Sequence, residues 1–201
     1  MNTDNAPPFH RFHRFHRFHV LGDQWLSAPE GHISWPRFAC IPPDQCHIVP
    51  HSTAADWAAN DFATLRQAMC YMIPGDTVLL SLGANDVMST EVRYPELSPG
   101  RSLIFASRLE YCLHDIVSVL QEAGLRTAVC VYPDHTLGNP SLSFSRLNDA
   151  LRTRGTDTVE LERLIKVPEF FKDIYPTSEG NEIIAHHVNK QFKLCYGLRY
   201  G

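Results

Sequence analysis

The feature that most constrains this chain is its alternation of short apolar, β-branched runs with longer stretches of helical periodicity. The runs are Phe18 to Gly22, Cys46 to Pro50, Thr77 to Gly83, Thr127 to Pro133 and Thr158 to Leu161. Turn or charged segments such as Pro74-Gly75-Asp76, Gly124-Leu125-Arg126 and Arg154-Gly155-Thr156-Asp157 precede the last three. Between the runs, Thr53-Ala54-Ala55-Asp56 reads as a helix cap, and Trp57, Leu65, Met69 and Met72 follow one face. From Leu103 to Gly124 the apolar residues Leu109, Cys112, Leu113, Ile116, Val117 and Leu120 recur at helical spacing, and Gly124 ends the helix. A last helix begins near Thr177 or Ser178 and buries Ile184, Val188 and Phe192. Strands that alternate with helices are expected to lie parallel, joined by right-handed crossovers, with helices on both faces of the sheet. Val78 to Leu80 and Ala128 to Val131 are apolar without interruption, so they are expected at the centre, buried on both sides.

With 201 residues, 44% hydrophobic and 20% charged, the chain is long enough for one compact domain and too apolar for a disordered one. Its 18 basic and 22 acidic residues give a formal charge of −4, so no global basic field is available to hold a nucleic-acid backbone. No apolar run approaches the roughly 18–20 residues that span a bilayer, and the N-terminus lacks the charged-then-apolar order of a secretory signal; a cytoplasmic protein is the expectation. Six cysteines are scattered without a CxxC pair, which points to free thiols in a reducing compartment and away from a metal site or other cofactor.

Before the first run stands a triplet repeat, Phe9-His10-Arg11, Phe12-His13-Arg14 and Phe15-His16-Arg17, closing with Phe18-His19. Residues 1–19 carry a net +2, against −6 for the remainder, so tail and body differ in sign. The chain therefore divides into a low-complexity arm, residues 1–17, and an α/β domain, residues 18–201. The simplest reading of the arm is a solvated extension whose last unit enters the first strand; metal binding by its histidines, or an acidic, membrane-surface or protein partner, stays open.

In a parallel α/β sheet, ligands bind beyond the carboxyl ends of the strands, so the residues just after each run carry the functional information. They are Gly22-Asp23-Gln24-Trp25-Leu26-Ser27 after the first, Gly83-Ala84-Asn85-Asp86 after the third and Tyr132-Pro133-Asp134-His135 after the fourth. Lys172-Asp173-Ile174-Tyr175-Pro176-Thr177-Ser178-Glu179-Gly180 introduces the last helix. This order of motifs, from about Phe18 to His187, resembles the SGNH, or GDSL, hydrolase superfamily. The resemblance implies a flavodoxin-like three-layer α/β/α sandwich with a doubly wound, five-stranded parallel sheet. It also implies a nucleophile in the block after the first strand, an oxyanion-hole asparagine at Asn85, and an acid and base in the block before the last helix.

At those positions the sequence departs from the family pattern. The serine position holds Gln24, whose amide cannot form an acyl-enzyme. The base position, directly before Pro176, holds Tyr175; the acid position three earlier holds Lys172, with Asp173 one step out of register. The second-block glycine that would donate a backbone N–H should fall near Ile48 to Ser52, where Pro50 has none to give. Two readings follow. One is a ligand-binding or regulatory pseudo-hydrolase, with Asp23 bracing the strand-end loop, Asn85 as donor or loop brace, and an acyl or glycosyl ligand by fold analogy. The other is an enzyme with rebuilt chemistry: either an esterase or acyl-transfer enzyme using Ser27 or Ser52 as nucleophile with His51 or His135 as base, or a non-hydrolytic enzyme on the same scaffold. His186 and His187 lie too far into the last helix to serve. Asp86 and Asp134 read as a turn residue and a helix cap, and Tyr175 as a ligand hydrogen-bonder, a weak acid or a packed aromatic.

Overall fold

The computed structural model describes residues 16–23, 33–87, 99–132, 148–149, 151–152, 156–161, 171–172 and 175–194. Five strands are formed where the apolar runs fall: β1 (Phe18–Gly22), β2 (Cys46–Ile48), β3 (Thr77–Ser81), β4 (Arg126–Val131) and β5 (Asp157–Glu160). They make one all-parallel sheet in the order β2-β1-β3-β4-β5. The reversal of direction from β1 outward to β2, then back across to β3, creates the switch point at which an α/β sheet opens a crevice.

The helices are α1 (Trp35–Phe38), α2 (Ala54–Met69), α3 (Pro99–Glu122) and α4 (Ser178–Phe192). Helix α2 packs on α3, and α1 packs on α4. Thr53 and Asp56 close a reciprocal capping box at the start of α2: Asp56 N–H donates to Thr53 Oγ1 at 3.2 Å and Thr53 N–H donates to Asp56 Oδ2 at 2.8 Å. The helix is broken at Ala59 to Phe62, where Asn60, Asp61 and Phe62 have positive φ. Trp57 and Leu65 on either side of the break are both fully buried, so the apolar face continues across it. Gly124 takes φ +77° just beyond α3, the left-handed conformation that a residue without Cβ adopts most readily.

β3 lies at the centre of the sheet with β1 and β4 on either side, and all five residues of β1 are buried. The polar repeat therefore ends inside the core: Phe18 meets Phe192 of α4 at 4.9 Å between ring centroids, and His19 is fully buried. Some strands stop earlier than their apolar runs. Val49 N–H still bonds Gly22 O at 3.0 Å, but Pro50 has no N–H to continue the ladder, so β2 ends at Ile48. A two-stranded antiparallel ribbon, β6 (Phe171–Lys172) with β7 (Tyr175–Pro176), precedes α4 and was not expected from the sequence, because each strand is only two residues long.

Among the described residues, Cys40, Cys46, Cys70, Cys112 and Cys130 are free thiols. Also among them, no group of three or more His, Cys, Asp or Glu could hold a metal ion, and no helix is long and apolar enough to cross a membrane.

Candidate functional site

The carboxyl ends of β1, β2 and β3 meet in a closed network of hydrogen bonds. Asp23, one residue past β1, is fully buried; its N–H donates to Ser81 O at 3.2 Å, which continues the β1–β3 ladder beyond the strand. Its Oδ2 accepts the N–H of Asn85 at 3.2 Å. Gly83, with φ +101°, turns the chain out of β3 so that residues 84–87 begin a helical turn, and Val87 N–H bonds Gly83 O at 3.1 Å. Asn85 therefore sits at the amino end of that turn, with the Asp23 carboxylate on its amide, an arrangement favoured by the turn's exposed N–H groups.

The Asn85 side chain crosses to the loop after β2, where Nδ2 donates to Ser52 O at 3.0 Å. Asp86, next in sequence, reaches the same loop: its Oδ2 accepts Ala54 N–H, the first helical residue of α2, at 2.9 Å. Asp86 is therefore a buried capping residue for α2 rather than a plain turn residue, and burial pushes its carboxyl up to about 6. Ser52 is buried as well. Its hydroxyl donates to Val49 O at 2.7 Å and accepts from Trp57 Nε1 at 2.8 Å. The backbone N–H groups of Val49, Ser52, Thr53 and Ala54 are all bonded within this corner, to Gly22 O, Val49 O, Asp56 and Asp86 respectively.

Tyr132, just beyond β4, forms the wall on the other side. It is fully buried, and its hydroxyl lies 2.9 Å from Ser81 Oγ. Burial, and then the charge of Asp23, raise the phenol well above its ordinary range. Asn148 brackets the Tyr132 backbone, accepting its N–H at 2.8 Å and donating to its carbonyl at 2.6 Å. Burial similarly pushes the Cys130 thiol up to about 12, so it is a protonated core residue.

Of the residues singled out in the sequence, Asp23, Ser52, Asn85 and Asp86 are brought together. His51 is exposed, with φ +62°. His186 is exposed and His187 half-buried within α4. Lys172 and Tyr175 are direct cross-strand partners in the β6–β7 ribbon. Gln24, Ser27, Asp134, His135 and Asp173 lie outside the described residues. Sequence reasoning missed Asn148 and Asn181. Asn181 accepts Trp35 N–H at 2.9 Å and donates to Pro176 O and Thr177 O, tying the entry of α4 to α1. Both asparagines bond to backbone, which leaves no residue-type pattern; the sole signal was a polar amide inside a helical apolar face. A concavity of about 280 Å³ lies on α3, and the described residues that line it, Ser107, Glu110, Tyr111 and His114, come from that one helix, without the convergence of loops seen at the strand ends.

No family model matches the chain. No curated protein matches its sequence. Solved structures do match in fold. An acetylxylan esterase from Geobacillus stearothermophilus is 11% identical, with a TM-score of 0.61 over 92% of this chain and 97% of that one. A protein assigned to the G-D-S-L lipolytic family of Desulfitobacterium hafniense is 13% identical, with a TM-score of 0.60 over 87% of this chain and 98% of that one. A Bacillus subtilis protein is 14% identical with a TM-score of 0.60; this chain, 90% covered, spans 58% of its length. Parallel topology, strand order and these neighbours together identify the architecture as an SGNH/GDSL hydrolase-like fold.

Proposed function

We propose that this chain is a ligand-binding or regulatory pseudo-hydrolase: an SGNH-type scaffold whose pocket at the strand ends binds a ligand without cleaving it through a covalent intermediate. The observation that carries this reading is the closed corner formed by Ser52, Asn85 and Asp86. The buried hydroxyl there is committed on both sides, to Val49 O and to Trp57 Nε1, and the amides of Val49, Ser52, Thr53 and Ala54 have partners within the corner. A serine whose proton is held by a carbonyl and whose lone pair is held by an indole has no imidazole to activate it. Gln24 stands where the family's nucleophile would be and Tyr175 where its base would be, and neither side chain can do that work.

On this reading Asp23 and Asn85 form the floor of the pocket, with the exposed His51 in the neighbouring loop after β2. Acyl or glycosyl groups are the ligand class, by analogy with the acetylxylan esterase that shares the fold. In that esterase, two catalytic mutants replace an aspartate and a histidine three positions further on. Lys172 and Tyr175 have the same spacing here. The test is twofold. Short p-nitrophenyl esters and acetylated xylo-oligosaccharides are expected to show no turnover above background, while the oligosaccharides perturb amide resonances near Asn85. Turnover that disappears in Ser27→Ala or Ser52→Ala would replace this reading with an esterase of relocated nucleophile.

A further inference from the structure

The opposite, amino-terminal end of the sheet holds a second buried polar cluster. Asp76, immediately before β3, is fully buried; Oδ1 accepts Arg17 N–H at 2.8 Å and Oδ2 accepts Ile73 N–H at 2.9 Å. Its Oδ2 also lies 3.3 Å from His19 Nε2, at ion-pair distance but without hydrogen-bond alignment. On the other side of the same ring, His19 Nδ1 is 3.3 Å from His47 Nε2 on the edge strand β2. The two imidazoles stack at 5.5 Å between centroids, and His47 stacks in turn on Tyr71 at 5.7 Å. Tyr71 is 60% exposed, so the row runs from a fully buried carboxylate to solvent.

The neighbours fix the tautomers by elimination. A lone pair on His19 Nε2 would face a carboxylate oxygen, so Nε2 carries the proton and Nδ1 is the acceptor. His47 must then present Nε2–H to it, which leaves His47 Nδ1 as the one basic nitrogen of the pair. We propose that Asp76, His19 and His47 form a tautomer-locked relay that takes up a single proton, at His47 Nδ1, and thereby makes the fastening of the chain before β1 sensitive to pH.

The proton comes from solvent onto the Nδ1 lone pair, and no interior bond is broken. A second proton is excluded, because it would put two cations at ring nitrogens 3.3 Å apart. The charged surroundings act in both directions. For His19, burial lowers its proton affinity most and Asp76 opposes this; Arg17 lowers it further and Asp44 raises it. For His47, burial and the His19 charge lower it and Asp44 raises it. The Cys46 thiol beside His47 is pushed up to about 11 by burial and stays neutral. Arg17 is the residue being fastened: Asp76 holds its N–H, and its carbonyl accepts Thr77 N–H at 2.9 Å. Protonation of the outer ring works against a folded state that buries it, so acid loosens this clamp.

The full chain, labelled with nitrogen-15 and followed by long-range ring NMR from pH 8 to pH 5, tests the assignment. His19 is expected as the neutral Nε2–H tautomer throughout, and His47 in a single step below its ordinary value of 6.5. Over that step the Arg17 amide, corrected for intrinsic exchange, should lose roughly fivefold of its protection. His47→Gln retains a donor to His19 Nδ1 and removes the basic nitrogen, so His19 should keep its tautomer while the Arg17 exchange loses its pH step. A neutral His19 protonated at Nδ1, His19 and His47 titrating as two independent steps, or a pH step in Arg17 exchange that persists in His47→Gln would overturn the proposal. The tautomer pattern of the unsubstituted chain decides the matter even where the variant does not fold.

Discussion

The two ends of the sheet solve the same packing problem with different chemistry. At each, a buried aspartate gathers backbone amides where chain segments converge: Asp76 takes those of Arg17 and Ile73 at the amino end, while Asp23 and Asp86 take those of Asn85 and Ala54 at the carboxyl end. The amino end adds two imidazoles in contact with each other; the carboxyl end adds a hydroxyl, an asparagine amide and an indole. Acyl transfer through a serine requires a general base, most often an imidazole, within hydrogen-bond reach of the hydroxyl. In the described part of this molecule the one fully buried imidazole, His19, lies toward the amino end of β1, whereas the buried Ser52 hydroxyl follows the carboxyl end of β2. On the proposed reading, a hydrolase-like sheet with an asparagine at the strand ends does not by itself assemble a triad.

The largest effect that sharpens the contrast comes from truncation. Deleting residues 1–16 is expected to leave the melting temperature nearly unchanged, whereas deleting residues 1–19 removes Phe18 and His19 from a fully buried strand and should abolish cooperative unfolding in circular dichroism. A large loss on the shorter deletion would mean that the whole repeat, not just its last unit, belongs to the folded body. Next, Trp57→Ala removes a fully buried indole and the donor to Ser52, and should lower stability by about 3–5 kcal/mol in urea unfolding. If the change is below about 1 kcal/mol, the carboxyl-end corner is not the tight unit described here.

A smaller effect separates the ends by the sign of their response to pH. Asp86 has a folded-state value of about 6 against 3.8 unfolded, so between those values the folded chain holds a proton that the unfolded chain has lost. Its contribution to stability is therefore greatest below 3.8, falls as pH rises to about 6, and is level above that. His19 and His47, both lowered from 6.5, act oppositely: their contribution is complete above 6.5 and is lost as pH falls below it. Asp86→Asn should accordingly gain about 1 kcal/mol at pH 7.5, a gain that vanishes near pH 4 in paired thermal melts. A loss at pH 7.5 would show that the charge on Asp86, rather than its shape, holds the start of α2.

Much of the fold was legible because periodicity is a local signal. The runs from Thr77 and Thr127 are apolar without interruption and became β3 and β4 with only their ends displaced, and Thr53 with Asp56 formed the capping box that their spacing suggests. β1 is less legible: His19 looks like part of a polar repeat, and the polar groups it meets inside the fold, His47 and Asp76, lie far along the chain. At the carboxyl end, the sequence singled out Asp23, Ser52, Asn85 and Asp86 as separate candidates. What it did not contain was their mutual commitment, such as the Ser52 hydroxyl spent on Val49 and Trp57. Asn148 and Asn181 stayed invisible because a side chain that bonds to backbone places no demand on the residue type of its partner.

The pseudo-hydrolase reading requires that no serine of this scaffold be activated, and fluorophosphonate labelling of the intact protein checks that requirement. No adduct is expected by mass spectrometry on the unsubstituted chain or on Gln24→Ser, because Tyr175 leaves a restored serine without a base. A stoichiometric adduct on any serine of the unsubstituted chain, or efficient labelling of Gln24→Ser, would contradict it.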